Sequence, residues 1–184
     1  YTHDKIYDAT DPTNPTEITS IKSQTHKSTT SFDALSVIGD YMYLSDSNDN
    51  EIRIVDVSTP SSPSTVISSY TDSGSIETGF TMESFNNKLY LGTYFSGTAS
   101  LQVVNVSNPT SPSLETTIND GDYSSAPSHW GNISYQGVYN GKFKAYNTTT
   151  SSENPISTIS LSSTPTDIHR YGQYFYAIHG GDLS

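Results

Sequence analysis

A few short patterns in this 184-residue chain pair residue types with spacings that chemistry would need. Asp46-Ser-Asn48-Asp-Asn50 sets oxygen ligands at alternate positions, the first half of a calcium loop. The glycine and distant bidentate Glu of a complete loop do not follow, and a polar hairpin loop explains the same residues. Asp120 and Asp122 make a weaker pair of the same kind, with turn chemistry as the plain reading. There are five histidines: His3, His26, His129, His169 and His179. His129 and His169 fall in or beside strands expected to line a channel, where they would meet as a metal or acid–base pair. No His-Glu-x-x-His spacing supports that pairing. Three sequons occur, at Asn105, Asn132 and Asn147. Asn147 sits in an expected exposed turn and suits a glycan best, whereas Asn132 is expected on an inner strand and suits one least. Trp130, His129, Tyr135 and Tyr139 offer either an aromatic platform for a sugar or peptide, or packing between layers. No Gly-x-Ser-x-Gly elbow and no phosphate-binding loop occurs.

These residues are positioned by a repeat. Ile52 to Pro63 reads IRIVDVSTPSSP, a short apolar strand that stops at Asp56 and leaves through two prolines. The same text occurs at Lys5 to Pro15 and at Leu101 to Pro112, and a frayed fourth copy runs from Tyr146 to Pro155. Asp8, Asp56 and Asn105 therefore end their strands, and each side chain is expected to accept bonds from N–H groups of the following turn.

The period is about 43 to 49 residues, the range of a propeller blade. Each full unit holds four strand-like runs, and none shows sustained helical periodicity. The expected plan is a half unit over 1–23, complete units over 32–70, 79–118 and 129–161, and a half unit over 164–184. In the third unit the strands are read as Asn132 to Tyr135, Val138-Tyr139, Phe143 to Tyr146 and Ile156 to Leu161, with Gly137 and Gly141 both reading as turns. Runs such as Tyr41-Met-Tyr-Leu44 are apolar on both faces, as a sheet stacked between two neighbours requires. The prolines precede each fourth strand, which fits an outer edge where a missing N–H costs nothing in the ladder. The fold class is thus an all-β propeller of four-stranded antiparallel blades, about four blade equivalents. It is either a segment of a larger propeller or a small ring in which the two half units share one blade.

Composition narrows the partners. The net charge is −11, from 19 acidic and 8 basic residues, which argues against nucleic acid. No polybasic run or long apolar segment offers direct membrane insertion. The chain has no cysteine, so disulfides and thiolate metal sites are excluded. It starts at Tyr1 and shows no signal peptide, which fits a processed form or a piece of something longer.

The third-strand texts, IRIVD at Ile52 to Asp56, LQVVN at Leu101 to Asn105 and KIYDA near the start, resemble the LVIVD-repeat family of bacterial and archaeal β-propellers. The trailing DVSTPSSP and NVSNPTSP resemble the family's continuation, and Thr164-Pro165 resembles its inter-repeat junction with Thr166 in place of Gly. The resemblance implies extracellular or surface repeat domains with no shared catalytic residues. The expected function is an extracellular, non-catalytic module that presents loops to a protein or glycan, with self-assembly into a surface layer or filament and no cofactor beyond the calcium candidate. A secreted hydrolase or lyase with a channel-mouth site is the alternative.

Overall fold

The computed structural model describes residues 4–21, 34–46, 51–71, 78–93, 101–119, 121, 124–138, 141–150, 152 and 154–179. The regular elements among the described residues are all strands. β1 (Asp4–Asp8) and β2 (Thr16–Ile21) make a two-stranded sheet. The first blade is β3 (Ala34–Ile38), β4 (Tyr41–Asp46), β5 (Glu51–Asp56) and β6 (Val66–Thr71). The second is β7 (Thr78–Phe85), β8 (Lys88–Thr93), β9 (Leu101–Asn105) and β10 (Ser113–Ile118). The third is β11 (Ser124–Trp130), β12 (Ile133–Val138), β13 (Lys142–Asn147) and β14 (Ser157–Ser160). A last two-stranded sheet holds β15 (Pro165–Tyr171) and β16 (Tyr174–His179). All neighbours pair antiparallel in chain order, so each four-stranded sheet is a meander.

The sheets stack face on face, with the inner strands β3, β7, β11 and β15 packed in succession. Between the first and second blades, Tyr43, Ile52 and Ile54 meet Leu89, Leu91, Val104 and Val106. On the other face of the second blade, Tyr90, Leu101, Val103 and Ile118 meet Tyr146 of the third. On the other face of the first, Met42, Leu44 and Val55 receive Ile6 from β1. The alternation of strand side chains divides each blade's apolar residues between two neighbours. Each fully buried Leu or Ile contributes roughly 1.5–3 kcal/mol.

The turn at the end of each third strand repeats atom for atom. Asp8, Asp56, Asn105 and Asn147 each accept, on Oδ1, the N–H two residues on, from Thr10, Ser58, Ser107 and Thr149, at 2.8–3.0 Å. The intervening residue bonds elsewhere: Val57, Val106 and Thr148 donate their N–H groups to the carbonyls of Asp40, Asn87 and Asn132. Those three carbonyls belong to the hairpins joining first and second strands, so each third strand is tied to its blade's inner hairpin. The fourth copy, frayed in sequence, therefore makes the same cap through Asn147. The hydroxyl and N–H of Ser58 hold the Asp56 carboxyl below its ordinary value, and Thr10 and Thr13 do the same for Asp8 and Asp11.

The third blade departs from the sequence reading. Its inner strand is Ser124–Trp130, ahead of the expected Asn132 to Tyr135, and the expected first and second strands are one strand, Ile133–Val138. Pro127 hides β11 in the sequence, yet β11 pairs on one side only, so the missing N–H is tolerated there. Gly131, at φ 60°, makes the turn, while Gly137 lies within β12, paired with Ala126 and Phe143. Gly141 does turn, at φ 68°, and a Cβ there would sit 2.9 Å from the Leu161 carbonyl oxygen.

Two outcomes follow for stability. Gly141→Ala should destabilise more than Gly39→Ala, because both have positive φ but only Gly141 lacks room. The Gly39 change should cost about 1–2 kcal/mol from the left-handed backbone alone, measured by urea unfolding. Asp56→Ala should lower Tm at pH 7, whereas Asp56→Asn, which keeps Oδ1, should retain most of it. Because the Asp56 pKa is lowered on folding, its charge-dependent stabilisation is present above about pH 4 and lost as pH falls through the lowered value. The Asn variant should therefore close the gap to the parent chain in acid.

Candidate functional site

The hairpins at Asn86-Asn87 and Gly131-Asn132 and the third-strand caps lie at the same end of their blades, because successive strands alternate in direction. Between the second and third blades this end opens into a cleft of about 500 Å3. Phe85 and Tyr90 give it an aromatic wall. Asn86, Asn132, Thr148 and Thr149 supply amides and hydroxyls, and Lys88 and Glu115 supply one charge of each sign.

The charged pair is held in place. Lys88 Nζ lies 2.5 Å from Glu115 Oε2, and the Nδ2 of Asn105 donates to Glu115 Oε1 at 2.9 Å. Partial exposure of both chains keeps the worth of this pair near the surface range of about 0–1 kcal/mol, so it orients more than it stabilises. Tyr90 is buried at its ring, and burial pushes its phenol above the ordinary value. It stays a neutral hydroxyl that bonds to the Thr148 side chain, while Thr148 Oγ1 donates to the Asn132 carbonyl at 3.0 Å. The cleft therefore sets oriented neutral donors and acceptors and one ion pair beside an aromatic face.

Behind that wall lies His129, whose side chain is 1% exposed. Its Nδ1 sits 3.1 Å from Glu83 Oε2 on β7, and the rings of Tyr90 and Phe85 lie against it. Nε2 is buried without a hydrogen-bond partner. Burial holds the imidazole below its ordinary pKa, with Glu83 opposing in part. A neutral ring donating from Nδ1 to Glu83 satisfies both statements.

Several sequence-level candidates land apart. His129 turns to β7 while His169 is exposed on β15, so the expected histidine pair does not form. The aromatic platform divides as well. Trp130 is half exposed under the Arg170 guanidinium, 5.1 Å from its ring centre, and Tyr135 stacks with Phe143 and Phe175 on the side of the last sheet. Tyr139 lies outside the described residues. The Asp46 backbone closes the β4–β5 pairing opposite Glu51, and Asn48, Asn50, Asp120, Asp122, His3 and His26 lie outside the described residues. Asn132 is in an exposed turn, not on an inner strand. Asn105 and Asn147 both cap strands, but Glu115 holds the amide nitrogen of Asn105. Sequence reading missed the cleft because its walls come from two repeats. The sole trace was the polar hairpin Asn86-Asn87, both at positive φ.

The buried imidazole sets a pH dependence. Its folded pKa lies below the unfolded value of about 6.5, so folding favours the neutral ring, and stability should fall as pH drops below about 6.5. Thermal melts at pH 8 and pH 5 should show a smaller difference for His129→Phe than for the parent chain. An equal difference in both would show that His129 does not set it.

The LVIVD repeat model matches residues 32–72, the first blade, and 93–120, which holds β9 and β10 of the second. No curated protein sequence matches the chain. Among solved structures it is similar to the computationally designed Ika4 protein, at 12% identity and TM-score 0.63, over 84% of this chain and 89% of that one. It is also similar to the designed Ika8 protein, at 11% identity and TM-score 0.62, over 89% of this chain and 46% of that one. The β-propeller domain of Myceliophteria thermophila Cps50 (Swd1) gives 9% identity and TM-score 0.61, over 84% and 48%. The chain thus spans about half the length of the last two, and at these identities the likeness speaks for fold alone. The chain thus carries two LVIVD repeats, each with its third-strand cap on a stacked four-stranded blade, in a β-propeller fold.

Proposed function

We propose that this propeller is an extracellular, non-catalytic interaction module that presents its hairpin end to a partner, and that the inter-blade cleft takes a glycan. The cleft carries the reading. A sugar ring has an apolar face and a rim of neutral hydroxyls, and the cleft sets Phe85 and Tyr90 beside Asn86, Asn132, Thr148 and Thr149. Its carboxylate, Glu115, is already bonded to Lys88 and Asn105, which suits recognition better than proton transfer. The acidic surface and the exposed Asn147 turn support a place outside the cell.

Screening the 184-residue chain on a glycan array, with affinity then measured by calorimetry, tests this. Phe85→Ala should weaken the best ligand about tenfold, the equivalent of about 1.4 kcal/mol. Binding that survives both Phe85→Ala and Asn132→Ala would place recognition elsewhere, and capture of a protein in place of any glycan would favour the protein partner. Secretion from a glycosylating host should add a glycan that Asn147→Gln removes. Asn105→Gln should leave it, because the Asn105 nitrogen is engaged by Glu115.

A further inference from the structure

The two-residue hairpins that join first to second strands are not all built alike. Gly39-Asp40, Gly131-Asn132 and Gly172-Gln173 each open on a glycine with φ of 56–60°, and none of their second residues has a positive φ. A side chain at those glycines would meet no atom within 4 Å, so the left-handed backbone, not crowding, calls for glycine there. The β7–β8 hairpin instead puts asparagine at both positions, Asn86 at φ 49° and Asn87 at φ 56°. Asparagine tolerates that conformation better than most residues, but still less well than glycine.

What this hairpin gains over its siblings is the side chain of Asn86. Other asparagines of the chain hold turns: Asn105, Asn108 and Asn147 each accept an N–H on Oδ1. The Asn86 amide makes no hydrogen bond among the described residues. It stands at the inter-blade cleft, next in the chain to Phe85 of the aromatic wall, with Asn132 and Thr149 on the facing blade. Asn87 shares the left-handed backbone but does not line the cleft. Its carbonyl takes the Val106 N–H, a bond that any residue at that position could accept.

We infer, resting on the glycan reading of the cleft, that Asn86 is the residue by which the cleft selects its sugar, its amide pairing with two adjacent ring hydroxyls. A sugar stacked on Phe85 holds its hydroxyls around the rim of its ring, where the residue beside Phe85 meets them. The amide carries an acceptor and a donor side by side, so one hydroxyl donates to Oδ1 while its neighbour accepts from Nδ2. A glycine here would relax the backbone and lose both bonds. The chain therefore gives up hairpin stability for recognition at this one place. The Gly39 and Gly172 hairpins, which do not line the cleft, keep the more comfortable residue.

Calorimetric titration of the 184-residue chain with the methyl glycosides of glucose, galactose and mannose tests this. The parent chain should bind at least one of them. Asn86→Gly should weaken that glycoside about tenfold, as the loss of two neutral hydrogen bonds implies, while its urea midpoint stays level or rises. Asn86→Asp, which keeps the turn and an acceptor but has no donor, should weaken it as well. Asn87→Gly should bind as the parent does. Removing either of the two paired hydroxyls from the glycoside should weaken binding to the parent chain and leave binding to Asn86→Gly nearly unchanged. Full affinity in Asn86→Gly, or an equal loss in Asn87→Gly, would overturn the role of Asn86, while the cleft reading would still stand on the loss in Phe85→Ala. Failure of the parent chain to bind any of the three glycosides would overturn the hydroxyl pairing, and the glycan array decides the cleft reading separately.

Discussion

A sheet with apolar side chains on both faces has to be covered twice, and that constraint governs this molecule. Tyr43, Ile52 and Ile54 leave water only because Leu89, Leu91 and Val104 stand opposite, and Met42 and Val55 on the reverse face need Ile6 of the sheet behind. No blade holds a core of its own. The core is the series of layers between blades, so stability is a sum of neighbour terms and any uncovered layer is exposed hydrophobic surface. The bare faces of β3 and β16 are that surface at the two ends of the arc.

Stacking needs the blades in one register, and the third-strand turn provides it. An Asp or Asn oxygen binds the N–H two residues on, which frees the intervening N–H to reach the inner hairpin of the same blade. One short polar motif thereby ties the strand deepest in the layer to the strand nearest the axis. The proline turn beyond it also reaches across: Ser68 of the first blade's outer strand donates to the carbonyl of Pro109 in the second blade. The motif that marks the repeat in sequence is thus a brace within a blade and a contact between blades.

The cleft is a consequence of the same geometry. At the hairpin ends of the second and third blades the cleft leaves Phe85, Lys88 and Asn147 at the ends of β7, β8 and β13 partly exposed, and polar residues line it in place of aliphatic ones. His129 marks the limit of that wet zone. It sits in the dry layer with one hydrogen bond to Glu83, and its cost of protonation links the packing of two blades to pH.

The repeat length, the four-strand unit and the positions of the caps were legible in the sequence, because each is written in a few consecutive residues: the apolar run, the Asp or Asn, the prolines. The first two blades followed from that text. The third did not, because a proline and a run of serines mask β11, and only pairing with β12 shows it to be a strand. The cleft, the Glu83–His129 contact and the separation of His129 from His169 were not legible at all. They join residues about one repeat apart, and which face a strand turns to which neighbour is decided when sheets stack. The linear text determines the blade. The stacking of blades decides what meets across the layer, because side chains on alternate faces of one strand belong to two different interfaces.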